Sequence, residues 1–229
     1  MLNISATDSW SRLHPGASIG LLELSGIQNY APSEQLNELK REVEARLRSR
    51  YQGFTRQDFL ALPAMSAYDR YYNRFDKTYH VLLQLESIVQ KGKSFPNVSP
   101  AVDANFIAEL ETLVLTAGHD VAKLIEPIII DVSNKDDEMT QMNGTTRLIR
   151  AGDMIMRDDR GVSCSIIYGQ DARSPISPET THVLYVAYAP HGVPAQIIDA
   201  QLRQIEENVR RFSRTCIVEQ HRLLIADQN

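Results

Sequence analysis

Residues 102–120, VDANFIAELETLVLTAGHD, carry polar side chains at both ends of an apolar run. Asp103 and Asn105 come at its beginning, and His119 and Asp120 follow it. Carboxylate, carboxamide and imidazole groups can hold a water molecule beside a carbonyl and offer dipoles to a developing oxyanion. The same groups also satisfy free backbone groups at the ends of helices. The sequence therefore leaves open whether these residues cap a helix, line a pocket or do both.

A second group of candidate residues lies in the segment 161–169, GVSCSIIYG, whose composition predicts a strand. Ser163, Cys164 and Tyr168 are candidates for the lining of the same pocket. Each also has an ordinary interpretation, as a strand serine, a small buried thiol and a surface tyrosine. Neither Cys164 nor Cys216 has the spacing of a zinc ligand, so we expect no metal, and two such cysteines fit a reducing compartment.

The elements that must position these side chains follow the order strand, helices, several strands and a helix. Strands are predicted at 17–24, 125–132, 146–150, 154–158, 161–169 and 182–190. Helices are predicted at 33–50, with Ser33 as N-cap, at 64–76, 79–91 and 194–212, and in the run after Asp103. Residues 221–227, HRLLIAD, fit either a closing strand or a tail. This order is typical of an α+β fold.

The helix in the run after Asp103 is the one expected to carry the pocket. Asp103 fits the N-cap, and Gly118 fits the left-handed position past the end of the helix. Its buried stripe is predicted to consist of Phe106, Ile107, Leu110, Leu113 and Val114.

Length and composition limit the classes of protein to consider. The chain has 229 residues, of which 43% are hydrophobic, and we predict a single domain over 1–229 with residues 1–60 as an N-terminal extension. Its formal net charge is −5, so any RNA contact must come from a local basic patch. The apolar stretches are too short to cross a bilayer and no signal peptide is recognisable, so we expect a cytoplasmic protein with no membrane partner.

Residues 40–77 form such a basic stretch. Arg70, Tyr71, Arg74 and Lys77 are the candidate RNA-binding residues, because tyrosines placed between cations can stack on unpaired bases. The alternative is a solvated helix face with cations near the helix ends. The chain contains neither glycine-rich phosphate loop, nor a G-x-S-x-G elbow, nor an H-E-x-x-H zinc helix, and we expect no cofactor.

Four segments, in this order, resemble the B3/B4 domain of the β chain of bacterial phenylalanyl-tRNA synthetase: 74–106, 116–120, 150–190 and the C-terminal helix. The family motif P-x-V-D is matched by residues 100–103, a G-D hairpin motif by residues 151–162, and T-x-x-V-L by residues 180–184. The resemblance implies an α+β fold, in which a mixed sheet curls to a partly open barrel flanked by helices. It also implies a site that hydrolyses the ester between a wrong amino acid and tRNA.

Two catalytic residues and five substrate-binding residues follow from this resemblance. Asn105 stands at the threonine position of the family motif V-D-x-T-N, and His119 is the counterpart of a histidine that follows the pocket helix. These two would be catalytic. The substrate-binding residues would be Asp103, Asp120, Ser163, Cys164 and Tyr168.

The sequence departs from the family in two places that bear on the substrate. Ser163-Cys164-Ser165 replaces the x-G-G of the family motif G-V-x-G-G, which reduces backbone access to a ligand. Val186 replaces the glutamate that reads a phenolic hydroxyl, and an unpaired hydroxyl costs about 1–3 kcal/mol. Tyrosine is therefore not the expected amino acid.

Two functions remain open on the sequence. The first is a trans-acting aminoacyl-tRNA hydrolase that clears mischarged tRNA, with tRNA or aminoacyl-tRNA as partner and no DNA contact. The second is a non-catalytic protein that binds tRNA or a small amino-acid-like ligand in an inherited pocket. The sequence does not indicate an oligomeric state.

Overall fold

The computed structural model describes residues 1–226 of the chain. In this range the helices are α1 (Asp8–Leu13), α2 (Glu34–Arg50), α3 (Arg56–Leu60), α4 (Pro63–Asn73), α5 (His80–Val89), α6 (Pro100–Thr112) and α7 (Ala195–Arg210). The strands are β1 (Ile4–Ala6), β2 (Ser18–Ser25), β3 (Thr116–Asp120), β4 (Ile128–Val132), β5 (Glu138–Thr140), β6 (Thr146–Leu148), β7 (Met154–Asp158), β8 (Gly161–Ser165), β9 (Gly169–Gln170), β10 (His182–Ala189) and β11 (Ile217–Ile225). None of these helices is long and apolar enough to cross a membrane.

The strands form two larger sheets and one hairpin. The first sheet has the order β1-β4-β7-β8-β9, the second has the order β11-β2-β10-β3, and β5 pairs with β6. The first sheet is mixed, because β1 runs parallel to β4 while its other pairings are antiparallel. No sheet closes on itself within residues 1–226. The predicted α+β class with a mixed, open sheet is confirmed.

Strand β2 is the centre of the second sheet, since it pairs with β10 on one side and β11 on the other. Seven of its eight residues are buried, as the pattern in SIGLLELS predicts for a strand covered on both faces. Helix α7 packs on this sheet and approaches β2 closely at Gly20. A Cβ at Gly20 would lie 2.7 Å from Cγ2 of Ile198, so only glycine fits this contact.

The helices bury the apolar faces that the sequence predicts. The Ser33 hydroxyl accepts a hydrogen bond from Leu36 N and caps α2, which packs against α5 and α6. The tyrosine face of α4 points into the core, where the Tyr68 ring stacks on Tyr79 at 4.2 Å between centroids. The Tyr68 hydroxyl donates to Tyr188 O and accepts from Leu115 N.

The predicted pocket helix is wrong at both ends. Its N-cap is Ser99 and not Asp103, which lies in the first turn of α6. The helix ends at Leu113, whose φ of 64° places it in the left-handed region that is rare for leucine. Gly118 is therefore not a helix terminator, because it belongs to β3, the strand that pairs with β10.

Several further elements were absent from the sequence prediction or left open. Strand β1 and helices α1 and α3 are short and were not predicted. The predicted strand 161–169 is divided into β8 and the two-residue β9. Of the two interpretations of HRLLIAD, the closing strand is correct through Ile225, and Asp227 lies outside the described residues. Residues 1–60 contribute β1 and β2 to the two sheets, and a single domain over 1–229 stays a prediction.

The close packing at Gly20 gives a test of the fold. We expect Gly20→Ala to lower the free energy of unfolding by about 1–3 kcal/mol, because the added methyl group overlaps Ile198. Urea denaturation measures this loss. In the background Ile198→Ala, which removes the overlapping Cγ2, the same substitution should cost clearly less. An equal cost in both backgrounds would show that α7 does not press on β2 at this point.

Candidate functional site

A cavity of about 300 Å³ lies between α6, β3, β8 and the end of β10. Helix α6 contributes Asn105, Phe106 and Glu109 to its wall, since residues three and four apart share one helix face. Strand β3 contributes residues 116–118, and β10 contributes Tyr188. The wall is mostly apolar, with a few convergent polar groups, which is typical of a site for a small molecule.

Two polar groups of this wall are buried without a hydrogen-bond partner of regular geometry in the described chain: Asn105 Oδ1 and the Tyr188 hydroxyl, which has the weakly polar Cys164 thiol beside it. The carboxamide of Asn105 is oriented by its other end, because Nδ2 donates to Thr116 O at 3.0 Å. Buried polar groups normally have partners, and those that do not call for an explanation such as a bound ligand. The free Asn105 oxygen can accept from an ammonium or hydroxyl group, and the Tyr188 hydroxyl can donate.

Among the described residues, Glu109 is the one carboxylic acid of the cavity wall. Its Oε2 accepts a hydrogen bond from Thr116 N at 2.9 Å, and only 4% of the residue is exposed. Burial raises the pKa of Glu109 to about 8, because the charged form loses its hydration. A carboxyl group that titrates near neutral pH can take a proton from water and give it back within one reaction cycle.

His80 and Cys164 are further titratable groups of the same wall. The His80 ring lies with Nδ1 3.2 Å from the Tyr72 hydroxyl, and burial lowers the pKa of His80 to about 4, so the ring is neutral at pH 7. Burial raises the pKa of the Cys164 thiol to about 12. The thiol therefore stays protonated and is a poor nucleophile.

Of the seven pocket residues predicted from the sequence, Asn105 and Cys164 line this cavity. His119 does not reach it. Its ring is fully buried behind Gln170, with Nδ1 2.8 Å from Ser174 Oγ and 3.1 Å from Gln170 Nε2. Burial lowers the pKa of His119 to about 3, so the ring is neutral. Because Gln170 is itself part of the cavity wall, His119 can act on the cavity only by holding Gln170 in place.

Asp103, Asp120, Ser163 and Tyr168 lie away from the cavity. Asp103 forms a buried ion pair with Lys40 and accepts from Val98 N. Asp120 caps the short 3₁₀ helix at 121–123 and accepts from the Thr180 hydroxyl. Each of these two carboxylates stabilises the end of an element, because its oxygens are occupied by backbone and side-chain donors.

Ser163 and Tyr168 have equally ordinary surroundings. The Ser163 hydroxyl donates to Met156 O across the β7–β8 pairing. Tyr168 packs on a small separate cluster of hydrophobic residues and carries Arg147 over its ring. Four residues were expected to face one cavity: Asp103, Asn105, His119 and Ser163. Of these, Asn105 lines the cavity and the other three do not. His119 lies elsewhere because it belongs to strand β3 and not to the end of a helix.

The basic stretch 40–77 divides into paired and unpaired cations. Carboxylates pair with Arg41, Arg46, Arg48 and Arg56. Arg70, Arg74 and Lys77 are exposed, and the described chain gives them no ion pair. Tyr71 is only 4% exposed and its hydroxyl donates to Asp153, so it offers no open face for a base. Stacking of a base on Tyr71 is therefore not supported by the structure.

The sequence prediction missed Glu109, Gln170 and Tyr188. Glu109 had a usable signal, since it lies four residues after Asn105 on a helix and interrupts an apolar stripe. Gln170 and Tyr188 carried none, because a glutamine after a glycine and a tyrosine in an apolar strand are common. Their convergence depends on the pairing of β8 with β9 and of β10 with β3.

Comparison with known proteins identifies the family of the chain. The sequence profile of the B3/4 domain matches residues 65–226, and the chain belongs to this family. None of the curated proteins compared with the chain matches it. Among solved structures, the chain is similar to an N-terminal fragment of the phenylalanyl-tRNA synthetase beta-subunit from Pyrococcus horikoshii, with 8% sequence identity and a TM-score of 0.48. The match covers 96% of this chain and 54% of that one.

The burial of Glu109 predicts a pH dependence of stability. The folded carboxyl stays protonated up to about pH 8, whereas in the unfolded chain it ionises near pH 4.5, so the folded state loses stability as the pH rises between these values. Glu109→Gln removes this loss and keeps an acceptor for Thr116 N. We expect the variant to gain stability over the wild type from pH 5 to pH 8, by up to about 4 kcal/mol.

Urea denaturation at both pH values measures the gain. Glu111→Gln is the matched control, because Glu111 lies two residues away on α6 and pairs with Arg46. A stability difference between Glu109→Gln and the wild type that stays constant with pH would contradict the shifted pKa.

Proposed function

We propose that this protein is an aminoacyl-tRNA hydrolase that admits the amino acid of a mischarged tRNA into the 300 Å³ cavity. The observation that carries the proposal is the presence in one apolar cavity of an ionisable Glu109 and the unpartnered Asn105 Oδ1 and Tyr188 hydroxyl. Membership of the B3/4 family supports it, because the resemblance of the sequence to the synthetase domain implies an editing site.

The cavity wall suggests how the substrate would be held. Phe106 and Ile176 present apolar surface to the amino-acid side chain. The free Asn105 oxygen accepts from the α-ammonium group, a donor that aminoacyl esters carry whatever their side chain. The Tyr188 hydroxyl is a donor on the wall formed by β10, suited to the ester carbonyl oxygen.

Glu109 supplies the proton transfers of the reaction. Its carboxylate form takes a proton from a water molecule while the water oxygen bonds to the ester carbonyl carbon. The tetrahedral intermediate then collapses, the bond from this carbon to the ribose oxygen breaks, and the proton on Glu109 passes to the leaving ribose oxygen. The free amino acid and the tRNA hydroxyl are the products, and no nucleophilic side chain is needed.

A second function is favoured by the position of the predicted catalytic histidine. His119 is buried outside the cavity and is neutral, so it cannot contact the ester. If Glu109 does not exchange protons with water, the cavity binds an amino-acid-like ligand without turnover. The protein is then a binder of tRNA or of a small ligand.

Deacylation of a panel of mischarged tRNAs separates the two functions. Loss of a general base costs about 10²–10⁴-fold in rate, so we expect Glu109→Gln to lower kcat by at least 100-fold. Asn105→Ala should chiefly raise KM. The wild-type rate should rise with pH up to about 8, because only the ionised form of Glu109 accepts a proton. His119→Ala should reduce the rate less than Glu109→Gln.

Glu111→Gln is the matched control and should keep the wild-type rate, since Glu111 faces Arg46 and Gln204 outside the cavity. Saturable binding without turnover across the panel would contradict the hydrolase and support the non-catalytic binder. Absence of both binding and turnover would contradict both proposed functions.

A further inference from the structure

A second cavity, of about 400 Å³, opens between the end of α1, the outer face of α4 and the loop after β10. We call it the arginine cleft and define it by His14, Arg70, Tyr71, Arg74 and His191. Its remaining wall is apolar, and within residues 1–226 no aspartate or glutamate lines it. It shares no lining residue with the cavity of Glu109.

The two arginines are held side by side. Arg70 and Arg74 lie four residues apart, so their side chains leave α4 on the same face. Arg70 Nη1 donates to Ser66 Oγ at 2.8 Å. The Arg74 guanidinium lies 5.4 Å from the centroid of the Tyr71 ring and 5.6 Å from that of Phe75. These contacts orient both guanidinium groups and leave most of their N–H donors free.

The absence of counter-ions distinguishes the two arginines of this cleft from four other arginines of the basic stretch, although Arg50 and Lys77 also have no ion pair in the described residues. In the described residues Arg41, Arg46, Arg48 and Arg56 each have a carboxylate partner, whereas Arg70 and Arg74 have none. In a chain with a net charge of −5, carboxylates are available for such pairing. Paired guanidinium forks without carboxylates are the arrangement that proteins use to bind phosphate groups.

His14 adds a second, independent sign of a ligand. The residue is 6% exposed, lines the cleft, and its Nε2 has no hydrogen-bond partner in the described chain. Burial, with Arg74 nearby, lowers the pKa of His14 to about 4, so the ring is neutral at pH 7. The one proton of the neutral ring is engaged by the Gly152 carbonyl, so Nε2 is left as an acceptor for a hydroxyl of the ligand.

The loop after β10 is shaped around Arg70. A Cβ at Gly192 would lie 2.9 Å from Arg70 Nη2, and the φ of 101° at this position also favours glycine. The loop therefore comes close to the guanidinium and brings His191, an exposed residue, to the rim of the cleft. The arginine is enclosed by protein on this side and open on the side of the cavity.

We propose that the arginine cleft binds a phosphate group, either a phosphodiester of an RNA strand or the phosphate ester of a free nucleotide. Arg70 and Arg74 contact its oxygens with their guanidinium groups, and His14 Nε2 accepts from a hydroxyl of the ligand at the floor of the cleft. The site does not depend on the hydrolysis of an ester in the Glu109 cavity. Loss of phosphate binding and loss of hydrolysis are therefore separate results.

Titration calorimetry with adenosine monophosphate and with inorganic phosphate tests the site on the full chain. We expect Arg70→Gln and Arg74→Gln each to weaken binding at least tenfold, because each removes charge-assisted hydrogen bonds to the anion. Arg50→Gln is the matched control, since Arg50 also lies at the end of a helix and over a tyrosine ring, at 5.1 Å from the Tyr51 centroid. It should bind like the wild type.

A single-stranded CCA trinucleotide with a 3′ fluorophore forms the second arm. If the phosphate group belongs to RNA in nature, the trinucleotide binds in a salt-dependent manner. The slope of log K against log salt is negative and becomes less steep by about one in Arg70→Gln. Binding of the nucleotide alone assigns the site to a free phosphate ester. Arg70→Gln is the main variant, because Arg70 is exposed and its loss leaves the core intact.

Three results would overturn the proposal. The first is absence of binding of every probe to the wild type at millimolar concentration. The second is equal weakening by Arg50→Gln, which would indicate a general charge effect. The third is wild-type affinity in both Arg70→Gln and Arg74→Gln. Thermal denaturation of each variant ensures that the affinities are compared between folded proteins.

Discussion

The stacked pair of Tyr68 and Tyr79 fixes the point at which α6 ends and β3 begins. The Tyr79 hydroxyl donates to Leu113 O, and the Tyr68 hydroxyl accepts from Leu115 N while donating to Tyr188 O. Both rings are fully enclosed, so a missing bond here would leave a buried polar group unpaired, at about 1–3 kcal/mol each. These bonds satisfy the backbone groups that follow the end of α6, and they link this segment to the last residues of β10.

Both cavities depend on this junction. On one side it turns the chain into β3, which brings Thr116 under Glu109 and places the Tyr188 side chain in the wall of the first cavity. On the other side α4 buries Tyr68 and exposes Arg70 and Arg74, while β10 continues into the loop of the arginine cleft. The end of β10 and the loop after it thus contribute to both sites within four residues. Tyr188 lines the apolar cavity, and Pro190 and His191 line the arginine cleft.

The chemistry of the first cavity follows from the burial of its ionisable groups. Burial raises the pKa of Glu109 and lowers that of His80, because water no longer stabilises either charged form. An acid that titrates near pH 8 and a neutral imidazole are then available at physiological pH. Asp153, whose pKa burial raises to about 6, has a different role, since it joins the Tyr71 and Ser165 hydroxyls beneath the arginine cleft.

The sequence alone determined the α+β class, the centre of most helices and strands, the family, and Asn105 as a cavity residue, because periodicity and local motifs are properties of neighbouring residues. The tertiary structure decided the end of α6, since Tyr79, the N-cap of α5, donates to the carbonyl of the left-handed Leu113, and Tyr68 of α4 accepts from Leu115 N. It therefore also decided that His119 lies in a strand behind Gln170 and that Glu109 lies in the cavity. It separated Arg70 and Arg74 from the paired arginines of α2, because ion pairing depends on which carboxylates the fold brings near.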